Sequence, residues 1–156
     1  MNIPFSPPDI TEEEIEAVAE VMRSGWITTG PKTKELERKM AEFTHTNRGV
    51  CLNSATSCME MALRLFEIGP GDEVIVPAYT YTASASVVCH VGATLRLVDV
   101  EKGTFHIDYA AVESMINENT KAIIPVDLGG VMVDYDRIRA LSLIHISEPT
   151  RRVVIS

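Results

Sequence analysis

The sequence predicts an α/β fold, a mainly parallel sheet flanked by helices, and three observations carry that expectation. Apolar runs of strand length recur at Gly49 to Leu52, Val74 to Pro77, Leu95 to Val100 and Ala122 to Val126, about one βαβ unit apart. The stretches between them carry apolar residues at helical spacing, as the crossovers between parallel strands require. The chain has 156 residues, 46% of them hydrophobic and 23% charged, enough for one domain with a real core.

Taken in order, residues 1–10 form a Pro-rich arm, and Thr11 with Glu14 makes a capping box that opens a helix. Ile15, Val18, Ala19 and Met22 give that helix an apolar face, and Ser24-Gly25 stops it. Trp26 to Gly30 crosses to Pro31, which suits the first position of a second helix with Leu36, Met40 and Phe43 on one face. These N-terminal helices occupy 11–46, and the βα units follow over 48–140. Met59, Ala62, Leu63 and Phe66 line a third helix, on which Glu60 and Arg64 form an i,i+4 pair.

Gly69-Pro70-Gly71-Asp72 then turns the chain into a strand. The next helix is built of Ala83, Ser84, Ala85 and Ser86, small enough to approach a sheet closely, and Gly92 marks its end. Asp108 caps a helix through Val112, Met115 and Ile116. After the last strand, Asp127-Leu128-Gly129-Gly130 leads to a helix begun at Tyr135.

Charge and composition exclude several functions. A net charge of -8 argues against a nucleic-acid surface or an anionic membrane as partner. No apolar stretch approaches the length of a membrane span, and the N-terminus has neither a basic nor an apolar signal region, so a cytoplasmic address is expected. Cys51, Cys58 and Cys89 sit in apolar runs without a CxxC pair or a His partner, which predicts buried, reduced thiols and no metal site. His45, His90, His106 and His145 are scattered and make no constellation.

The stretch with chemical promise is Cys51 to Phe66, where an apolar strand breaks into Asn53-Ser54-Ala55-Thr56-Ser57 and runs into a helix. Small hydroxyl residues there leave the first backbone N–H groups open, and those donors with the positive helix end suit a phosphate. The same residues equally describe an ordinary N-cap through Ser54 or Thr56, and the stretch lacks the glycines and lysine of better-specified phosphate loops. On their residues alone, Tyr79 and Tyr81 read as half-buried loop tyrosines, and Trp26 as a core plug in an interhelix turn.

Residues 141–156, LSLIHISEPTRRVVIS, interrupt the helix begun at Tyr135 without a cap or turn signal. They resemble a translated transposase-type sequencing adapter, so a non-native tail is expected from residue 141 and is set apart from the fold.

From Asn2 to about Ala140 the chain resembles the DegT/StrS-type nucleotide-sugar aminotransferases, pyridoxal 5'-phosphate (PLP) enzymes of fold type I. The resemblance covers the N-terminal part of their large domain. It rests on Ser24-Gly25-Trp26-Ile27-Thr28-Thr29-Gly30-Pro31, Asn53-Ser54-Ala55-Thr56-Ser57, Gly71-Asp72-Glu73-Val74-Ile75 and Lys121-Ala122-Ile123-Ile124-Pro125-Val126, in that order and spacing. Its nearest look is to the UDP-4-amino-4-deoxy-L-arabinose aminotransferases. The resemblance implies that Ala55, Thr56 and Ser57 meet the cofactor phosphate and that Tyr81 stacks over the pyridine ring. It implies that Gly25 to Gly30, with Trp26 and Thr28, lies near the nucleotide-sugar entrance or a subunit boundary.

The implied activity is transfer of an amino group from an amino acid, glutamate above all, to a nucleotide-linked keto-sugar, with the cofactor alternating between PLP and pyridoxamine 5'-phosphate. Such sugars serve cell envelopes or secondary metabolites, and the full-length enzyme is expected to be a homodimer. In the family the Schiff-base lysine, the cofactor-binding Asp and its neighbouring Gln come later than Ala140. Lys32, Lys34, Lys39, Lys102, Lys121 and Asp127 do not match those positions. No catalytic residue is therefore expected in this chain, and the fragment is expected to be inactive. Two alternatives share the same residues: a PLP-dependent sugar dehydratase of the same family, in which the lysine is replaced, and a non-catalytic α/β regulator binding a phosphate ligand.

Overall fold

Local signals end and begin the helices where residue chemistry demands it. The structure is a computed structural model that describes residues 7–143 and 153–154. By internal packing the chain divides into two units, Met1–Cys51 and Leu52–Ser156.

The first unit carries α1 (Glu12–Ser24) and α2 (Pro31–Phe43). Thr11 and Glu14 form the predicted capping box, with the Thr11 N–H donating to Glu14 Oε2 at 2.6 Å, and Gly25 closes α1 in the left-handed region at φ 72°. Pro31 opens α2, whose missing N–H costs nothing at that position. Ile15, Val18, Met22, Leu36, Met40 and Phe43 leave their side chains exposed.

The second unit is a parallel sheet covered by helices on both faces. In chain order it contains α3 (Ala55–Leu65), β1 (Glu73–Pro77), α4 (Ala83–His90), β2 (Thr94–Val98), α5 (Tyr109–Met115), β3 (Thr120–Ile123), α6 (Tyr135–Leu143) and β4 (Val153–Val154). The strand order is β2-β1-β3-β4, and every pair is parallel. Successive side chains of a strand point to opposite faces. Val74, Val76, Ala122 and Ile124 accordingly join Leu63 of α3 and Val87, Val88 and Val91 around α4 in one core. Ile75 and Ile123 face the other way, into a second core with Tyr109, Val112, Val133, Ile138 and Leu141. Full burial of a Val or Ile contributes about 1.5–3 kcal/mol, so the two-sided cover of Val74, Ile75 and Val76 makes β1 a large contributor to this unit.

Three expectations need correction. Residues 49–52 form no strand: Val50 is 75% exposed, and no described strand pairs with this run. An apolar run becomes a strand only when a neighbour accepts its hydrogen bonds. The helix begun at Tyr135 is not interrupted at residue 141 but continues to Leu143, because Leu141 lies one turn beyond Ile138 on the same apolar face and is only 6% exposed. Val153–Val154 then resumes the βα rhythm beside β3, as β-branched residues can once an edge is on offer. The rest of 141–156 lies outside the described residues. Finally, Cys58 and Cys89 are exposed and Cys51 is partly so, all three as free thiols. Helices α3 and α4 turn Leu63, Val87 and Val88 inward, which leaves Cys58 and Cys89 on outward positions.

Candidate functional site

The open start of α3 is built by its own polar residues. Ser54 is the N-cap with extended backbone, and its hydroxyl accepts the Ser57 N–H at 3.1 Å. The Ser57 hydroxyl donates to Asn53 Oδ1 at 2.8 Å, which fixes the turn from the outside. The N-cap reading of Ser54 is what the hydrogen bonds show. Ser54 satisfies one N–H of its helix, while the N–H groups of Ala55 and Thr56 have no acceptor among the described residues. Those donors, the Thr56 hydroxyl and the helix dipole form a cradle of the kind that receives a phosphate.

Chain direction sets where this cradle lies. A short turn, closed by Asp72 N–H donating to Gly69 O at 3.0 Å and by Gly69 N–H donating to Asp72 Oδ2 at 2.9 Å, reverses the chain between α3 and β1. Leu63 of α3 shares a core with Val74 and Val76 of β1 beyond this reversal, which directs the N-terminus of α3 toward the carboxyl ends of the strands. The β1–α4 loop, residues 78–82, leaves that same edge. Its Ala78 N–H donates to Val98 O at 2.7 Å, and the Ser84 N–H donates to Tyr81 O at 3.0 Å. Thr80 and Ser84 share a hydroxyl hydrogen bond at 3.0 Å.

Tyr81 is 81% exposed and Tyr79 58%, so neither is the half-buried tyrosine that the loop suggested. The reason is that β1 ends at Pro77 and its cover of helices begins only with α4, so the intervening side chains have no layer above them. Strand order adds a further constraint. Because β2 and β3 flank β1 on opposite sides, the connections diverge between β1 and β3, and ligands of open α/β sheets gather at such a switch point. Asp127, just past β3, does not offer a free carboxylate there: Oδ1 accepts the Val133 N–H and Oδ2 the Tyr135 hydroxyl, both at 2.8 Å. It ties the 128–134 loop to the strand end.

Trp26 and Thr28 belong to the first unit. They line a cleft of about 520 Å³ with Glu20, Ser24, Gly30 and Lys32. Trp26 is 58% exposed and is not a core plug, since its indole N–H donates to Thr29 O at 2.9 Å and its ring lies against Gly30. A β-carbon at Gly30 would stand 2.2 Å from Trp26 Cδ1, so the glycine makes room for the ring. What the sequence offered no means of finding is Phe105, whose ring stacks on Tyr79 at 5.4 Å between centroids and 19° between planes. Twenty-six positions separate the two, and no periodicity links them.

A phosphate with a flat aromatic ring attached fits what this edge offers, an open helix start and an exposed tyrosine face. Lys121 sits on β3 with its ammonium donating to Glu118 O at 3.0 Å, and Lys102 lies on an exposed turn. Among the described residues no His, Cys, Asp and Glu cluster could hold a metal ion, and no helix is long and apolar enough to cross a membrane.

The fold is that of the N-terminal part of the PLP fold type I aminotransferases, a parallel sheet flanked by helices. The chain belongs to the DegT/DnrJ/EryC1/StrS aminotransferase family, whose pattern matches residues 8–145. It is 61% identical to Spr1654 from Streptococcus pneumoniae, assigned as a sugar aminotransferase, over 90% of this chain and 35% of that one, with a TM-score of 0.87. Spr1654 has been solved in PLP and PMP forms as well as apo. DesV from S. venezuelae, solved with a ketimine intermediate, is 38% identical over 86% of this chain and 36% of its own, with a TM-score of 0.81. A GDP-4-keto-6-deoxymannose-3-dehydratase has a TM-score of 0.87 over 99% of this chain and 40% of its own at 22% identity, a likeness of fold alone. The chain spans 35–36% of the length of the two aminotransferases.

Proposed function

We propose that this chain supplies the cofactor-phosphate half of an enzyme that transfers an amino group from glutamate to a nucleotide-linked keto-sugar, with PLP and PMP as the two cofactor states. What supports the reading is an open α3 start together with an exposed Tyr81 on the loop that follows β1, in a chain of this family. The N–H groups of Ala55 and Thr56 and the hydroxyls of Thr56 and Ser57 hold the phosphate, and Tyr81 covers the ring. Trp26 and Thr28 receive part of the nucleotide sugar.

When bound, the cofactor would supply an electron sink for the substrate carbon. The task of this chain is to bind and orient it, since phosphate contacts fix the register in which the ring meets its reactants. The anchoring lysine and the carboxylate at the ring nitrogen belong to sequence outside this chain, as do the residues that complete a cytoplasmic homodimer. A lysine at the anchoring position separates the transaminase from the dehydratase of the same family. The sugar we favour is a UDP-linked 4-keto pentose of the arabinose type, destined for the cell envelope. Residues 141–156 are a non-native addition in this reading.

The test is equilibrium dialysis of PLP against the wild-type chain and Thr56→Val, with inorganic phosphate as competitor. Hydrogen bonds to a charged group are worth ~1.5–3 kcal/mol, so Thr56→Val should weaken binding roughly tenfold or more, and phosphate should displace PLP. Equal affinities for the two chains would refute the cradle.

A further inference from the structure

We propose that Phe105 is a positioning residue for Tyr81, holding the β1–α4 loop in place through its ring stack on Tyr79; the proposal rests on the cofactor role given to Tyr81 above. The argument begins with the rigidity of the segment that carries Phe105. After β2 the chain makes a narrow hairpin, pinned by the antiparallel bridge between Val100 and Ile107. The Glu101 N–H donates to His106 O at 2.8 Å and the Asp108 N–H to Asp99 O at 3.1 Å. Its tip is closed by Thr104, whose N–H and hydroxyl both donate to Glu101 O at 3.0 Å, while its hydroxyl accepts the His106 N–H at 3.1 Å. A tip so fully hydrogen-bonded can act as a fixed post.

The loop beside it is tied at its two ends and, between the two tyrosines, by the hydroxyl hydrogen bond of Thr80 with Ser84. Ala78 is tied to Val98 below, and Tyr81 O and Thr82 O accept N–H groups of the first turn of α4 above. Between them, Tyr79 has one packing partner in the form of a ring, Phe105, stacked nearly parallel. Both rings are more than half exposed, so the stack adds little to the core. Two large exposed apolar rings held against each other at the edge of a site are better explained by what they hold than by the area they bury. Tyr79 and Tyr81 lie two positions apart in a short loop of bends, so holding the first ring limits the path of the backbone that carries the second. Tyr81 is 81% exposed, and among the described residues no ring stacks on it, so its direction follows from the loop that carries it.

The test uses the full chain as wild type, Phe105→Ala, Phe105→Tyr and Tyr81→Ala, with two readouts. The first is amide hydrogen exchange at Ser84, Ala85 and Ser86, whose N–H groups are bonded to Tyr81 O and Thr82 O. Phe105→Ala should speed it about two- to tenfold, the range spanned by an aromatic pair, while Phe105→Tyr keeps the stack and the wild-type rate. The second readout is PLP affinity by dialysis, which should weaken by a similar factor in Phe105→Ala, recover in Phe105→Tyr and fall in Tyr81→Ala. Unchanged exchange in Phe105→Ala overturns the proposal whatever PLP does. Faster exchange with unchanged PLP affinity, while Tyr81→Ala still weakens PLP, overturns it too and leaves the cofactor role of Tyr81 standing. If Tyr81→Ala leaves PLP affinity intact, or the wild-type chain binds no PLP, the cofactor reading itself fails, and this inference with it.

Discussion

At the scale of single residues, Gly30 and Trp26 make a sharp case. The indole occupies the space where a β-carbon at position 30 would stand, and its N–H is bonded to Thr29 O. Gly30→Ala should therefore push the ring out of the cleft. Trp26 is the only tryptophan, so its fluorescence reports the site directly. The expected outcome is a changed emission maximum and intensity, with a stability loss of ~1–3 kcal/mol at most, because an exposed ring can give way. An unchanged spectrum would mean that the ring does not rest on Gly30. Proximity of this kind was not legible beforehand: the motif around Trp26 was visible, but its exposure was not, because a tryptophan between two helices packs inward or outward depending on what faces it.

At the scale of elements, the flank of α3 is joined to α4 by Glu60. Its carboxylate accepts from Arg64 at 2.7 Å and lies 2.9 Å from His90 Nδ1. The Arg64 hydrogen bond above all, then His90, holds the Glu60 carboxyl below the usual carboxylate range. A carboxyl lowered in the folded state adds stability above its unfolded pKa, and that contribution is lost as pH falls through the folded value. Glu60→Gln should thus lower the urea midpoint slightly at pH 7, and the deficit should shrink as acid protonates the folded carboxyl. A deficit that persists in acid would assign the effect to packing. Helix α6 offers a second test. Ile138 is fully buried in the core on the far side of the sheet, so Ile138→Ala should cost ~2–5 kcal/mol by chemical denaturation. A loss under 1 kcal/mol would show that α6 does not cover the sheet as described.

For the whole molecule, the expected outcome is absence of turnover. Made as written, the chain should transfer no amino group even with excess PLP and a nucleotide keto-sugar, since orientation by a phosphate cradle cannot replace a covalent anchor and a carboxylate at the ring nitrogen. Borohydride reduction with PLP followed by mass spectrometry checks this. A stoichiometric adduct on one lysine, together with turnover above free PLP, would refute it. The origin of residues 141–156 is decided at the nucleotide level, where genomic reads continuing through codon 141 with this peptide intact would establish it as native. The structure bears on the matter only by showing that Leu141 fits the apolar face of α6 and that Val153–Val154 adds to the sheet.

By itself the sequence determined whatever depends on neighbours within about one helical turn. Thr11 with Glu14, Gly25, Pro31, Ser54 and Asp108 cap or start helices at the expected places, since a cap is a hydrogen bond between residues two to four positions apart. The apolar runs of β1, β2 and β3, spaced by helices, likewise determined a parallel sheet. Only the tertiary structure decided which runs find partners, so residues 49–52 remain without a ladder while Val153–Val154 gains one. It also decided that Cys58, Cys89 and Tyr81 face outward and that Phe105 meets Tyr79. The physical reason is the same in each case. Pairing, exposure and stacking depend on groups brought together from distant parts of the chain, and residues far apart in sequence carry no local mark of where they will meet.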